Sequence, residues 1–172
     1  MIRKYGYVWF LITFFAVIQP SILLSLNISI IVPDLVSVVI AALAFTRSIR
    51  VGIGFAIYAG ILVDLISPAT GIFGISVVGY LILALLINQT VQAPHQTTWL
   101  PVVAAGLAPA LVVTVRAILV FLTSGTNLVN LYPNVLLWQL LVGVIAATFT
   151  VPIMDRFDRP LVDGANRLRV SL

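Results

Sequence analysis

Residues 51–66 read VGIGFAIYAGILVDLI, a run that carries one charge, Asp64. Apolar and polar residues do not alternate in it, so it does not fit a half-exposed strand, and it is apolar on every side of a helix. Five further runs have the same character: about Tyr5 to Leu26, Ile28 to Thr46, Gly71 to Ile87, Thr98 to Leu122 and Val135 to Met154. A helix needs roughly 20 apolar residues to cross about 30 Å of hydrocarbon. The reading is an all-α membrane protein, a compact six-transmembrane-helix bundle. Outer-membrane barrels are excluded, because their strands alternate apolar and polar residues.

Composition agrees. Of 172 residues, 62% are hydrophobic and 8% charged, where soluble domains have roughly 45–50% and about 25%. Mean hydropathy is +1.20. Short polar breaks separate the runs: Asn27, Arg47-Ser48 with Arg50, Ser67-Pro68, Asn88 to Thr97, and Ser124 to Asn134. They carry turn chemistry and leave no room for a second domain. The chain is therefore one polytopic domain, 1–172, ending in a short cytoplasmic tail, 155–172. At about 24 Å, the run 51–66 is the shortest expected span, so it must thin the bilayer or lie inside the bundle.

The cations are Arg3, Lys4, Arg47, Arg50, Arg116, Arg156, Arg159, Arg167 and Arg169, and six spans place all but Arg116 on one side. By the positive-inside rule that side is the cytoplasm, and both termini face it. Asn27, Ser67 to Thr70 and Ser124 to Asn134 are then external. The first run exceeds a signal-peptide core and no small-residue cleavage site follows it, so it reads as an uncleaved span. Tyr5, Tyr7, Trp9 and Trp99 fall near the inner interface, and Tyr132 and Trp138 near the outer one. The net charge of +4 is a topology signal. Nucleic acid is excluded as a partner, because that reading needs a basic face on a soluble domain.

The catalytic inventory is nearly empty. There is no cysteine and no glutamate, one histidine (His95, in a polar loop) and five aspartates, three of them (Asp155, Asp158, Asp163) in the tail. Thiolate chemistry and histidine-cluster metal sites are ruled out by counting. No phosphate loop, nucleophile elbow, zincin or dinucleotide motif occurs. The expectation is no catalytic residue, no metal and no cofactor.

Three ionisable groups lie at membrane level, Asp34, Asp64 and Arg116, all in the outer half. A lone arginine there is costly, so Arg116 is expected to pair with Asp34 or Asp64. A polar cavity open to the outside is one reading of this cluster. The favoured one is an inter-helix ion pair that fixes packing, with Asp34 a surface N-cap, because the spans show few further polar neighbours.

Gly52, Ala56, Gly60 and Asp64 recur every fourth residue and make one narrow helix face of small side chains. Such faces let helices approach closely, either within the bundle or against a partner. Gly71, Gly74 and Gly79 open the fourth span, and Gly143 with Ala147 repeats the spacing in the sixth. Pro20, Pro101 and Pro109 should bend their spans or mark their starts. The tail sets Arg156, Arg159, Arg167 and Arg169 against three aspartates, a weak signal for anionic lipid.

Between Val32 and Leu81 the order is Pro33-Asp34-Leu35, an apolar span, Arg47 to Arg50, Gly52-x-Gly54-Phe55, Gly60-Ile61-Leu62-Val63-Asp64-Leu65-Ile66-Ser67, then Gly71 and Tyr80. This order resembles the MreD family of rod-shape-determining inner-membrane proteins, most specifically in the Gly-x-x-x-Asp-Leu-Ile-Ser run with glycine four residues on. The basic N-terminus, Trp138 in the last span and the basic tail keep that outline over the chain, although the tail is more acidic than the family's.

The resemblance implies a non-enzymatic scaffold subunit of the cell-elongation machinery. Its partners would be the bitopic protein MreC, the peptidoglycan glycosyltransferase and transpeptidase pair and, inside, the actin-like MreB filament. Gly60, Asp64 and Gly71 match the family motif. The family is similar in architecture to the substrate-binding subunits of vitamin transporters, so small-molecule binding is the competing class. Such a subunit would carry an Ala-xxx-Ala face in its first span, where this chain has only Ala16. An intramembrane enzyme is the third class, and it would have to run on Asp34 and Asp64 alone.

Overall fold

In a computed structural model, the backbone is described for residues 2–26, 34–46, 48–66, 73–91, 99–125 and 132–170. Among these residues every regular element is a helix: α1 (Ile2–Leu26), α2 (Leu35–Thr46), α3 (Ile49–Ile66), α4 (Ile75–Val91), α5 (Leu100–Ser124) and α6 (Tyr132–Val170). Three stretches are long and apolar enough to cross a membrane: Ile49–Ile66, Leu100–Thr123 and Asn134–Met154. Tyr5–Ser21, Leu35–Thr46 and Ile75–Thr90 are shorter apolar helices.

The architecture is organised around α2. This helix has 12 residues, about 18 Å, and it touches each of the other five. Val36 through Ala44 are all buried, which explains why its sequence shows no polar face. Around it, α1 packs on α3, α3 on α4, α4 on α5 and α5 on α6. Among the described residues the shortest helix is thus α2 rather than α3; helical turns at Ile49 and Arg50 lengthen α3 to 18 residues. The expected start of the second span at Ile28 lies outside the described residues.

Each outer helix turns a stripe inward. On α1, Val8, Ile12 and Ala16 are buried at four-residue spacing, while Phe10 (66%) and Phe14 (44%) are exposed. Parallel packing of α1 on α3 follows from rungs that climb together: Tyr5 meets Phe55 at 5.9 Å, Trp9 meets Phe55 and Tyr58 at 5.4 and 4.0 Å between ring centroids. One turn further, Thr13 Oγ1 and Tyr58 Oη share a hydrogen bond of 2.9 Å. Exposed Leu122, Phe149 and Leu137 give the exterior an apolar surface suited to lipid rather than water.

Local chemistry sets the helix ends. Pro101 sits in the first turn of α5, where its missing N–H costs nothing. At the other end Gly125 takes a left-handed φ of 66° and donates its N–H to the Phe121 carbonyl at 2.9 Å, the glycine C-cap. The backbone of α6 continues as one helix from Tyr132 to Val170, because the change from apolar to charged residues after Met154 is not itself a helix stop.

Candidate functional site

Asp34 immediately precedes α2 and caps it. Its carboxylate Oδ1 accepts the Ser37 N–H at 3.2 Å, and Ser37 Oγ donates back to the Asp34 carbonyl at 2.5 Å. The cap is not at the surface, as the sequence suggested. Asp34 is 2% exposed, because three other helices close over it.

Each of those helices contributes one polar side chain. From α4, Tyr80 Oη lies 2.8 Å from both carboxylate oxygens. From α5, Arg116 Nη2 pairs with Oδ2 at 3.2 Å and donates to Tyr80 Oη at 3.1 Å. The same guanidinium stands 5.4 Å from the centroid of the Tyr80 ring, a cation–π distance. From α6, Gln139 Oε1 accepts the Asp34 backbone N–H at 3.1 Å. One residue therefore joins α2, α4, α5 and α6.

The knot is a neutral assembly of one carboxylate and one guanidinium. Ser37, Tyr80 and Gln139 are all buried, and the Arg116 side chain is 21% exposed. Arg116 Nε is buried with no hydrogen-bond partner among the described residues. In a low-dielectric interior, charge-assisted hydrogen bonds of this kind are strong only because every partner is held in place. The hydrogen bonds tie Asp34 to Tyr80 of α4 and to Gln139 of α6. Among the described residues no group of three or more His, Cys, Asp or Glu is placed to hold a metal ion.

The two aspartates that the sequence grouped make different contacts. Asp64, near the end of α3, reaches across to the start of α4: Oδ2 accepts the Gly74 N–H at 2.8 Å and Oδ1 the Ser76 N–H at 3.3 Å. It satisfies donors that α4 cannot satisfy within itself. Gly74 holds φ at +99° there, a conformation that side chains other than glycine rarely adopt.

The small-residue faces point into the bundle. A Cβ on Gly60 would collide with the Val77 Cα and lie 2.6 Å from its N, and one on Gly52 would sit 3.7 Å from Ala44 Cα. Ala56 is fully buried between them. Gly143 faces the Gly106 carbonyl of α5, with Pro109 Cγ 3.0 Å from where its Cβ would be, and Ala147 is fully buried. Gly71 lies outside the described residues, as do Arg47 and His95.

Sequence reasoning missed Ser37, Gln139 and Gly106. Gln139 could have been singled out as an amide in the middle of the last apolar run, and Tyr80 was present only as the end of a motif. No one-dimensional spacing joins either of them to Asp34.

A family model described as MreD, rod shape-determining protein MreD, matches residues 2–160. No curated protein and no solved structure matches the chain.

Proposed function

Because the chain belongs to the MreD family, whose members are membrane proteins with a role in rod shape determination, we propose that it works as a non-enzymatic scaffold of the cell-elongation machinery. Its task on this reading is positional. The bundle anchors the transmembrane helix of an MreC-like bitopic partner, associates with the glycosyltransferase and transpeptidase pair that builds peptidoglycan, and meets the MreB filament at its inner side. It lies in the inner membrane with six spans and both termini cytoplasmic, as the distribution of cations suggests.

The observation that carries the proposal is the use made of the polar groups at membrane level. Asp34, Tyr80, Arg116 and Gln139 bind one another, and Asp64 binds the start of α4. Intramembrane charges usually mark a transport path or reactive centre. Here they support a rigid bundle, as a scaffold requires. On this reading Gly52, Ala56, Gly60, Gly143 and Ala147 hold the fold and leave partner contact to the outward faces. The family match supports shape determination and not vitamin binding.

The test is co-purification in mild detergent of tagged chain with co-expressed MreC and the synthase pair, alongside a vitamin-binding screen on the chain alone. A stable complex without vitamin binding is the expected result. Nanomolar binding of one small molecule without a complex would overturn the scaffold reading.

A further inference from the structure

Among the described residues, five of the six helices are locked to a neighbour by a close backbone approach or a buried polar side chain. A Cβ on Gly60 of α3 would collide with the Val77 backbone of α4, and one on Gly143 of α6 with the Gly106 carbonyl of α5. Asp34, Tyr80, Arg116 and Gln139 join α2, α4, α5 and α6, and Asp64 ties α3 to the start of α4. Helix α1 takes part in none of these locks. It touches α2 and α3, and a Cβ on Gly6, the glycine of this helix, would meet nothing within 4 Å.

The two halves of α1 are seated differently. In the N-terminal half Trp9 meets Phe55 and Tyr58 at 5.4 and 4.0 Å between ring centroids, and Thr13 shares a hydrogen bond with Tyr58 one turn further on. In the C-terminal half two acceptors sit in buried surroundings without the donors they need. Gln19 Oε1 is buried and has no hydrogen-bond partner among the described residues. Pro20 lies inside the helix and has no N–H to give to the carbonyl four residues back. That carbonyl belongs to Ala16, which is 3% exposed.

A desolvated acceptor without a partner destabilises the state that buries it. Little apolar packing opposes separation here, since none of residues 17–21 is buried. Water is near as well: Gln19 lies seven residues before Leu26, where α1 ends, about 10 Å along the helix.

We infer that α1 is the moving part of an otherwise rigid bundle, and that its C-terminal half opens away from α2 and α3 as a gate, pivoting on the contact of Trp9 with Phe55 and Tyr58. The open form admits water between the helices to Gln19 Oε1 and the Ala16 carbonyl. The frame built on Asp34 and on Gly60, Gly106 and Gly143 keeps its geometry. This holds whichever partner the bundle carries.

The chain contains no cysteine, so pairs of spin labels can be placed on the full chain in nanodiscs and their separations measured by pulsed electron paramagnetic resonance. Val17→Cys with Leu122→Cys reports the gate, Phe10→Cys with Ile153→Cys the pivot, and Leu65→Cys with Leu122→Cys the frame; all of these positions are exposed. Two distances are expected for the gate pair and one for each of the others. Gln19→Leu removes the unpaired acceptor, and Pro20→Ala returns an N–H to the Ala16 carbonyl. Each should lower the longer-distance population at least about five-fold and leave the pivot and frame distances unchanged. A single gate distance as narrow as that of the frame would overturn the proposal, as would an open population that neither substitution alters. Two distances in all three pairs would show the whole bundle loosening, and would equally overturn a gate confined to α1.

Discussion

Asp34 Oδ2 and Arg116 Nη2 stand 3.2 Å apart at the start of the helix that, among the described residues, touches all the others. The pair has little access to water, so its value is asymmetric: each ion is tolerable only while the other is present. Arg116→Gln leaves the carboxylate of Asp34 unpaired and is expected to cost about 3–5 kcal/mol. The double change Asp34→Asn with Arg116→Gln should cost clearly less than the two single losses summed. Thermal unfolding of the four proteins in one detergent measures the coupling, and simple additivity would show that the pair does not act as a unit.

Tyr80→Phe removes a hydroxyl that reaches both Asp34 oxygens and accepts from Arg116, with almost no change in volume. Hydrogen bonds to charged groups are worth about 1.5–3 kcal/mol, and a loss in that range is expected in the same unfolding assay. An unchanged midpoint would mean that Asp34 and Arg116 hold each other without the phenol.

Three glycines should respond differently to a single methyl group. Gly60→Ala places a Cβ against the Val77 backbone, and Gly143→Ala places one against the Gly106 carbonyl. Backbone cannot yield as a flexible side chain does, so both should separate their helix pairs and lower stability by about 1–3 kcal/mol. Gly54→Ala meets nothing within 4 Å and should be neutral or stabilise by up to about 1 kcal/mol. Rod shape in cells carrying each variant as the sole copy gives a second readout, with loss expected for the first two only.

Asp64→Ala frees the Gly74 and Ser76 N–H groups at the start of α4. A lost cap of this type costs about 0.5–2 kcal/mol. Asp64→Asn keeps one acceptor oxygen and should recover about half of that. Amide hydrogen exchange confined to the first turn of α4 would identify the cause, and global exchange would point elsewhere.

The chain contains no cysteine, so single cysteines report topology without background. On the proposed orientation, with both termini inside, a membrane-impermeant maleimide added to intact spheroplasts should label Ser124→Cys and leave Ser171→Cys unlabelled until lysis. The reverse pattern would invert the bundle.

Much of the architecture could be read from the chain in order. Six apolar runs gave the helical class, and the polar breaks that begin at Ser67 and Ser124 fall where α3 and α5 end. The need of Arg116 for a carboxylate followed from the cost of a lone charge in hydrocarbon, as did the short list of candidates. The choice between Asp34 and Asp64 did not follow, nor did the burial of the cap. Tyr80 and Gln139 looked like ordinary residues of apolar spans because their partners lie on other helices. The tail looked separate because polarity changes at Asp155, whereas the backbone continues unbroken.

The sequence by itself determined that this is a helical membrane protein, because burying or exposing a side chain to lipid depends on composition, and composition is local. It also determined the family, which matches over residues 2–160. Only the tertiary structure decided that α2 is the central helix, that Asp34 rather than Asp64 takes Arg116, and that the glycine faces turn inward against Val77 and Gly106. Those outcomes depend on which helices are neighbours. Helices that are apolar on every side do not encode that by periodicity, so it is settled by a few close approaches and polar contacts made between distant parts of the chain.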